Sequence, residues 1–104
     1  MSAALIWCPF PDAVRAEAAI SALLDEGLVA CGNMLPGMVS LYVWQGERHR
    51  DSEVGVLLKT HADRLDGAIA RLNALHPYDA PAILGWRCDA AAPATLAWLG
   101  ALTR

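Results

Sequence analysis

Apolar residues recur with two different periods along the chain, and the changes of period predict where strands and helices lie. The apolar run over residues 3–8 is closed by prolines, which predicts a short buried strand. The segment from Asp12 to Gly27 then repeats apolar residues at helical spacing. Aspartate is a common N-cap and glycine a common C-terminal residue, so this segment predicts the first helix.

Two further strands are predicted in the middle of the chain. Residues 28–34 and 38–44 both have strand character, and the Leu35-Pro36-Gly37 segment between them favours a bulge over a full turn. Residues 45–47 suit a hairpin loop. Residues 48–60 begin polar and end apolar, so this strand is expected to start beyond the core.

The last third of the chain predicts a helix, a strand and a terminal helix. Residues 60–63 are similar to a capping box, with aspartate in place of glutamate. An apolar helical stripe follows and should end near His76, because Pro77 disfavours helical geometry before it. Residues 82–88 predict the last strand and residues 94–102 a short helix.

This order predicts an α+β fold, a ferredoxin-like βαββαβ sandwich with an antiparallel sheet and a short C-terminal helix. The length of 104 residues is enough for one domain, spanning 1–104. Each strand is apolar on both sides, whereas two helices cover only one face of a sheet. We therefore expect another subunit to cover the second face.

Composition narrows the class of protein. Hydrophobic residues make up 56% of the chain and charged residues 18%, with a net charge of -3 and a single lysine. Nucleic acid is an unexpected partner without a basic face. No apolar run is long enough to cross a membrane, and no signal peptide is recognised at the N-terminus. Three cysteines without a C-x-x-C pair favour reduced thiols in a cytoplasmic protein.

Four stretches of the chain resemble the CutA family of divalent-cation tolerance proteins. They are LVACGNMLPG, LYVWQGE, DSEVGVLLKT and LHPYDAPAIL, and a terminal L-x-W-L pattern follows them. Each stretch is weak evidence alone, but together they occur in the family's order over most of the chain. The chain departs from the family pattern at four positions, where it has Leu75, Asp79, Ala82 and Thr95.

The resemblance implies a tight homotrimer and a link to copper or another divalent cation. It also implies a metal-associated cysteine and histidine, here Cys8 and His76. Thiolate and imidazole suit copper or zinc, but two ligands do not close a site. The alternative is that Cys8 is a small buried residue and that His76 interacts with the dipole of the helix it ends.

A second group of residues predicts a ligand site in a cleft between subunits. Its members are Lys59, Tyr42, Trp44, Glu53, Tyr78 and Asp79. The only lysine offers a compact charge for a carboxylate or a small anion, although an interface salt bridge is its more ordinary role. The tryptophans are more often core or interface anchors than ligand platforms.

No arrangement of an enzyme is recognisable, since the chain lacks a nucleophile motif, a phosphate-binding loop and an H-E-x-x-H motif. We therefore expect no catalytic activity and no obligatory cofactor. A homotrimer that responds to or binds divalent metal is the first hypothesis. The alternatives are a trimeric binding module for a small anionic effector, similar to the PII proteins, and a scaffold that anchors a partner protein.

Overall fold

The computed structural model describes residues 2–104 and confirms the α+β fold class. Four antiparallel strands form one sheet in the order β2-β3-β1-β4. The elements are β1 Ala3–Phe10, α1 Ala13–Asp25, β2 Cys31–Trp44, β3 Glu47–His61, α2 Leu65–Leu75, β4 Leu84–Arg87 and α3 Pro93–Gly100. Short 3₁₀ turns, Ala62–Arg64 and Ala101–Thr103, follow β3 and α3.

The hydrophobic core lies between one face of the sheet and helices α1 and α2. Strand β1 is central and sends every second side chain into this core, since successive side chains of a strand point to opposite faces. Each helix contributes one apolar stripe. The core side chains from these elements include Ile6, Cys8, Phe10, Ile20, Leu23, Val56, Leu58, Leu65 and Leu72.

The other face of the sheet is apolar and largely uncovered. Leu84 and Trp86 of β4 are 65% and 45% exposed, and Leu35 of β2 is exposed to a similar degree. On this face the indole ring of Trp7 contacts Gly55, where a side chain would collide with it. The sequence-based prediction that the strands are apolar on both sides is therefore confirmed.

Strands β2 and β3 form a long hairpin that extends beyond the helices. The predicted bulge is present as a register shift between Leu35 and Met38. Gln45 and Gly46 make the tight turn with φ of 51° and 80°, which are the positive values of a type I′ turn. Beyond the bulge no helix covers this hairpin, so Leu41 and Val43 are each 68% exposed.

Strand β1 runs two residues further than the sequence predicts, through Pro9 to Phe10. Backbone groups of alternate residues in β1 face β4, which pairs only with Ala4 to Trp7. The backbone nitrogen of Pro9, which carries no hydrogen, faces the side where β4 has already ended. No hydrogen bond between strands is therefore lost there. Its carbonyl oxygen is left free for a side chain of the candidate site.

The predicted capping box at residues 60–63 is wrong. Thr60 belongs to β3, is fully buried and donates its hydroxyl to the Leu28 carbonyl at 2.7 Å. The cap is instead His61, whose Nδ1 accepts a hydrogen bond from the Asp63 backbone N–H at 3.0 Å. His61 is only 6% exposed, so the imidazole that caps this turn is buried.

Arg64 joins the turn after β3 to the C-terminal end of the chain. Arg64 donates from Nε and a terminal nitrogen to the Leu102 carbonyl, at 3.2 and 2.9 Å. Leu99 of α3 is buried, whereas Trp98 stays 47% exposed.

Candidate functional site

A stiff connector of residues 76–83 joins α2 to β4 and forms one wall of the site. Helix α2 ends at Leu75 because Pro77 requires an extended His76, which has φ -71° and ψ 139°. Nδ1 of His76 accepts a hydrogen bond from the Tyr78 backbone N–H at 3.1 Å. Nε2 therefore carries the proton and donates to the Pro9 carbonyl at 2.8 Å.

The second wall is the middle of β3, where Glu53 is 8% exposed. The hydroxyl of Tyr78 donates to one carboxylate oxygen of Glu53, Oε2, at 2.8 Å. Burial, followed by this hydrogen bond, raises the pKa of Tyr78 above its ordinary value. The phenol is therefore a stable donor at neutral pH, and it fixes the connector against the sheet.

The third wall is the hairpin beyond the bulge. Tyr42 of β2 lies opposite His49 of β3, and their rings stack with centroids 5.1 Å apart. The Tyr42 hydroxyl also donates to the Asp51 carboxylate. This bond is the main reason that the pKa of Tyr42 is raised. One phenol and two carboxylates, those of Tyr42, Asp51 and Glu53, thus lie along one face of the hairpin.

These walls enclose a cavity of about 980 Å³, which we call the hairpin cleft. Five of the six residues predicted for a ligand cleft line it, and His49 is a wall residue that the sequence analysis missed. Alternation along β3 would have found it, because His49, Asp51 and Glu53 share one face. The predicted residues in the lining are Tyr42, Trp44, Glu53, Tyr78 and Asp79.

Lys59 is the predicted member that is not part of the hairpin cleft of this chain. It pairs with Leu5 of β1 and Cys31 of β2, at the opposite end of β3. Six residues of strand separate it from Glu53, a distance of about 20 Å. Within residues 2–104 it forms no salt bridge with an acidic side chain.

Cys8 and His76 both form a hydrogen bond with the Pro9 carbonyl oxygen. The thiol of Cys8 donates to it at 3.5 Å and the imidazole at 2.8 Å. The imidazole also packs on Phe10, with ring centroids 4.2 Å apart. Burial, aided by the nearby Glu53 charge, raises the pKa of the Cys8 thiol to about 12.

This arrangement does not fit a metal ion as it stands. An ion needs a thiolate and a free lone pair on the imidazole, but the thiol holds its proton and both ring nitrogens are hydrogen-bonded. Among residues 2–104 there is also no group of three or more histidine, cysteine or acidic side chains suited to one ion. Cys8 and His76 as ligands therefore stay a prediction that requires both hydrogen bonds of the imidazole to rearrange.

The charge of the hairpin cleft is negative. Glu53 and Asp79 are the acidic residues that line it, and no lysine or arginine of residues 2–104 is among its lining side chains. A desolvated carboxylate attracts a cation and repels an anion. The cleft of the single chain is therefore complementary to positive charge, which opposes the hypothesis of an anionic effector bound there.

The sheet has the order β2-β3-β1-β4 and carries helices on one face. A long hairpin extends it, and a proline-rich connector joins α2 to β4. This arrangement defines a ferredoxin-like α+β protein. The family model "CutA1 divalent ion tolerance protein" matches residues 4–101. The chain belongs to this family, which confirms the resemblance seen in the sequence.

Relatives and solved structures agree with that assignment. The divalent-cation tolerance protein CutA of Pyrococcus horikoshii is 38% identical over 91% of this chain and 92% of its own. The protein of the same description from Pectobacterium atrosepticum is 35% identical over 98% and 93%. The crystal structure of CutA from Xylella fastidiosa is 37% identical, covers 98% of both chains and superposes with a TM-score of 0.92.

One negative finding concerns membranes. Within the described range 2–104, every helix is too short or too polar to span a bilayer.

Proposed function

We propose that this protein acts in tolerance to divalent cations and that it acts as a homotrimer. Membership of the CutA family supports the first half of this statement. The second half is supported by the uncovered apolar surface of a single chain. We propose three subunits because the chain resembles the CutA family.

The observation that carries the proposal is the exposure of the β2–β3 hairpin. Leu41 and Val43 are 68% exposed on one side of it, and Trp44 at its tip is half exposed. Monomeric proteins rarely leave contiguous apolar patches of more than a few hundred Å² in water. A neighbouring subunit would remove this surface from solvent and would also cover Leu84 and Trp86 on the open face of the sheet.

We propose that copper or another divalent cation binds this protein and that Cys8 and His76 are its ligands. Both groups lie at one carbonyl oxygen, which supports a shared site. Their hydrogen bonds and the raised pKa of the thiol predict weak binding. We propose no catalytic role.

The cytoplasm is the location we propose for this protein. All three cysteines, Cys8, Cys31 and Cys88, are free thiols, which supports a reducing compartment. Cys31 and Cys88 are partly exposed. Such thiols would be open to oxidation outside a reducing compartment.

Complementation tests the proposed function directly. A bacterial strain that lacks its own CutA protein would be grown in increasing copper, with wild type, Leu41→Glu or an empty vector. We expect wild type to restore growth and Leu41→Glu to fail, because a charge on the hairpin would prevent assembly. Val14→Glu is the matched control, since Val14 is 80% exposed on α1, away from the hairpin. Equal growth of wild type and empty vector would refute the role in tolerance.

A further inference from the structure

We propose that the β2–β3 hairpin of one copy lies on the open face of the sheet of the next copy, and that Glu47 or Asp51 of the hairpin pairs there with Lys59. The open face is the surface of the sheet opposite the helices, and its side chains include Leu5, Trp7, Leu57, Lys59, Leu84 and Trp86. The proposal rests on the proposed homotrimer. It adds which surfaces meet and which charged side chains the two copies contribute.

The two faces of the hairpin carry opposite charges. Successive side chains of a strand point to opposite faces, so Glu47 and Asp51 of β3 share one face and Arg48 and Arg50 share the other. All four side chains are exposed. The register places Trp44 directly opposite Glu47. We call these two surfaces the carboxylate face and the arginine face.

Lys59 is a single positive charge in an apolar row of the open face. The register places Trp86, Leu5, Lys59 and Cys31 side by side across the sheet. Lys59 is already partly buried, and within residues 2–104 it forms no salt bridge. A neighbour that covers the open face would remove the ammonium from water, and a buried charge without an opposite charge is costly. The covering surface must therefore supply a carboxylate.

The carboxylate face of the hairpin meets this requirement, whereas the arginine face does not. The arginines would place like charges beside Lys59, which is unfavourable in an interface. Glu47 and Asp51 supply the opposite charge from exposed positions. Trp44 beside them is half exposed and supplies apolar area of the kind that anchors interfaces. Charge and apolar area therefore favour the same face of the hairpin.

The pair must form between two copies of the chain. Along β3, Asp51 lies about 27 Å from Lys59, and Glu47 is farther still. A hairpin that lies on the sheet of the next copy is a head-to-tail contact, and such contacts generate rings. In a ring of three each copy has two neighbours, so the arginine face, which carries Leu41 and Val43, is covered by the other neighbour.

Charge reversal measured by sedimentation equilibrium tests the proposal. Lys59→Glu should raise the dissociation constant of the trimer about tenfold or more, because like charges would then meet. Adding Glu47→Lys or Asp51→Lys to the same chain should restore most of the wild-type affinity, and the position that restores it identifies the partner of Lys59. Adding Glu17→Lys is the matched control. Glu17 is exposed on α1, so this change alters the net charge equally and should not restore assembly.

Neutral variants keep the test valid if Lys59→Glu does not fold. Lys59→Met keeps an apolar stem and should also weaken the trimer, and Glu47→Gln or Asp51→Asn in the same chain should recover part of the loss. Wild-type assembly by Lys59→Glu or Lys59→Met would overturn the pairing and leave the homotrimer standing. So would a failure of both carboxylate positions to restore assembly, or equal restoration by Glu17→Lys. A wild-type protein that sediments as a single chain would refute the homotrimer and this inference together.

Discussion

The Tyr78 hydroxyl and the Glu53 carboxylate, 2.8 Å apart, join the connector after α2 to the middle of β3. We expect Tyr78→Phe to lower the free energy of unfolding by about 1–2 kcal/mol, because a buried carboxylate oxygen loses a donor. Urea denaturation at fixed protein concentration measures this. Tyr42→Phe is the matched control, since its bond to Asp51 is exposed and should contribute much less. Equal losses in the two variants would mean that burial of Glu53 does not matter.

Two glycines on different elements should respond in opposite directions to alanine. A Cβ at Gly55 would lie 2.5 Å from the Trp7 ring, so Gly55→Ala should destabilise by about 1–3 kcal/mol. At Gly67, inside α2, the only near atom is a Leu28 methyl at 3.6 Å. Gly67→Ala should therefore stabilise by about 0.5–1 kcal/mol through helix propensity. Thermal unfolding distinguishes the two, and a stable Gly55→Ala protein would show that Trp7 is not held over the strand.

His76 should make stability depend on pH in a defined direction. Burial lowers its pKa in the folded protein, although the Pro9 hydrogen bond and Glu53 partly oppose this. Near pH 7.5 both states are neutral, and as pH falls through about 6.5 the unfolded chain binds a proton first. The contribution of His76 is thus complete above its unfolded pKa and is lost as pH falls toward its folded pKa.

The measurement is the free energy of unfolding between about pH 7.5 and 5.5, around the ordinary histidine pKa. His76→Gln should show a shallower decrease than wild type. A wild-type slope in His76→Gln would contradict the assignment of a neutral, buried imidazole.

Copper binding at Cys8 and His76 should be weak and should require both residues. An ion there must displace the proton of a thiol with a pKa of about 12 and break a hydrogen bond of the imidazole. Titration calorimetry of wild type, Cys8→Ser and Cys31→Ser would measure this, with Cys31 as the cysteine on another strand. We expect only Cys8→Ser to lose binding. Matching isotherms for all three proteins would remove Cys8 from the site.

Much of the fold could be predicted from local patterns. The order of elements, the bulge after Leu35 and the turn at Gln45 follow from apolar periods and from where proline and glycine stand. Five residues of the hairpin cleft were also predicted, because the stretches that resemble the CutA family contain them.

What the sequence did not reveal depends on contacts between distant segments. Pro9 continues β1 because β4 is short, and Thr60 bonds to Leu28 rather than capping a helix. Both features depend on where neighbouring segments end in the folded chain. The position of Lys59 outside the cleft follows from strand register, which composition does not encode. Likewise, the hydrogen bonds of His76 appear only once Pro9 is placed beside it.

Sedimentation equilibrium at micromolar concentration tests most directly the central claim that the exposed hairpin joins copies of this chain. The wild-type protein should have three times the chain mass of 11.1 kDa. Leu41→Glu should shift the population toward the single chain, whereas Val14→Glu should sediment as wild type does. A wild-type mass of 11.1 kDa under these conditions would contradict the claim.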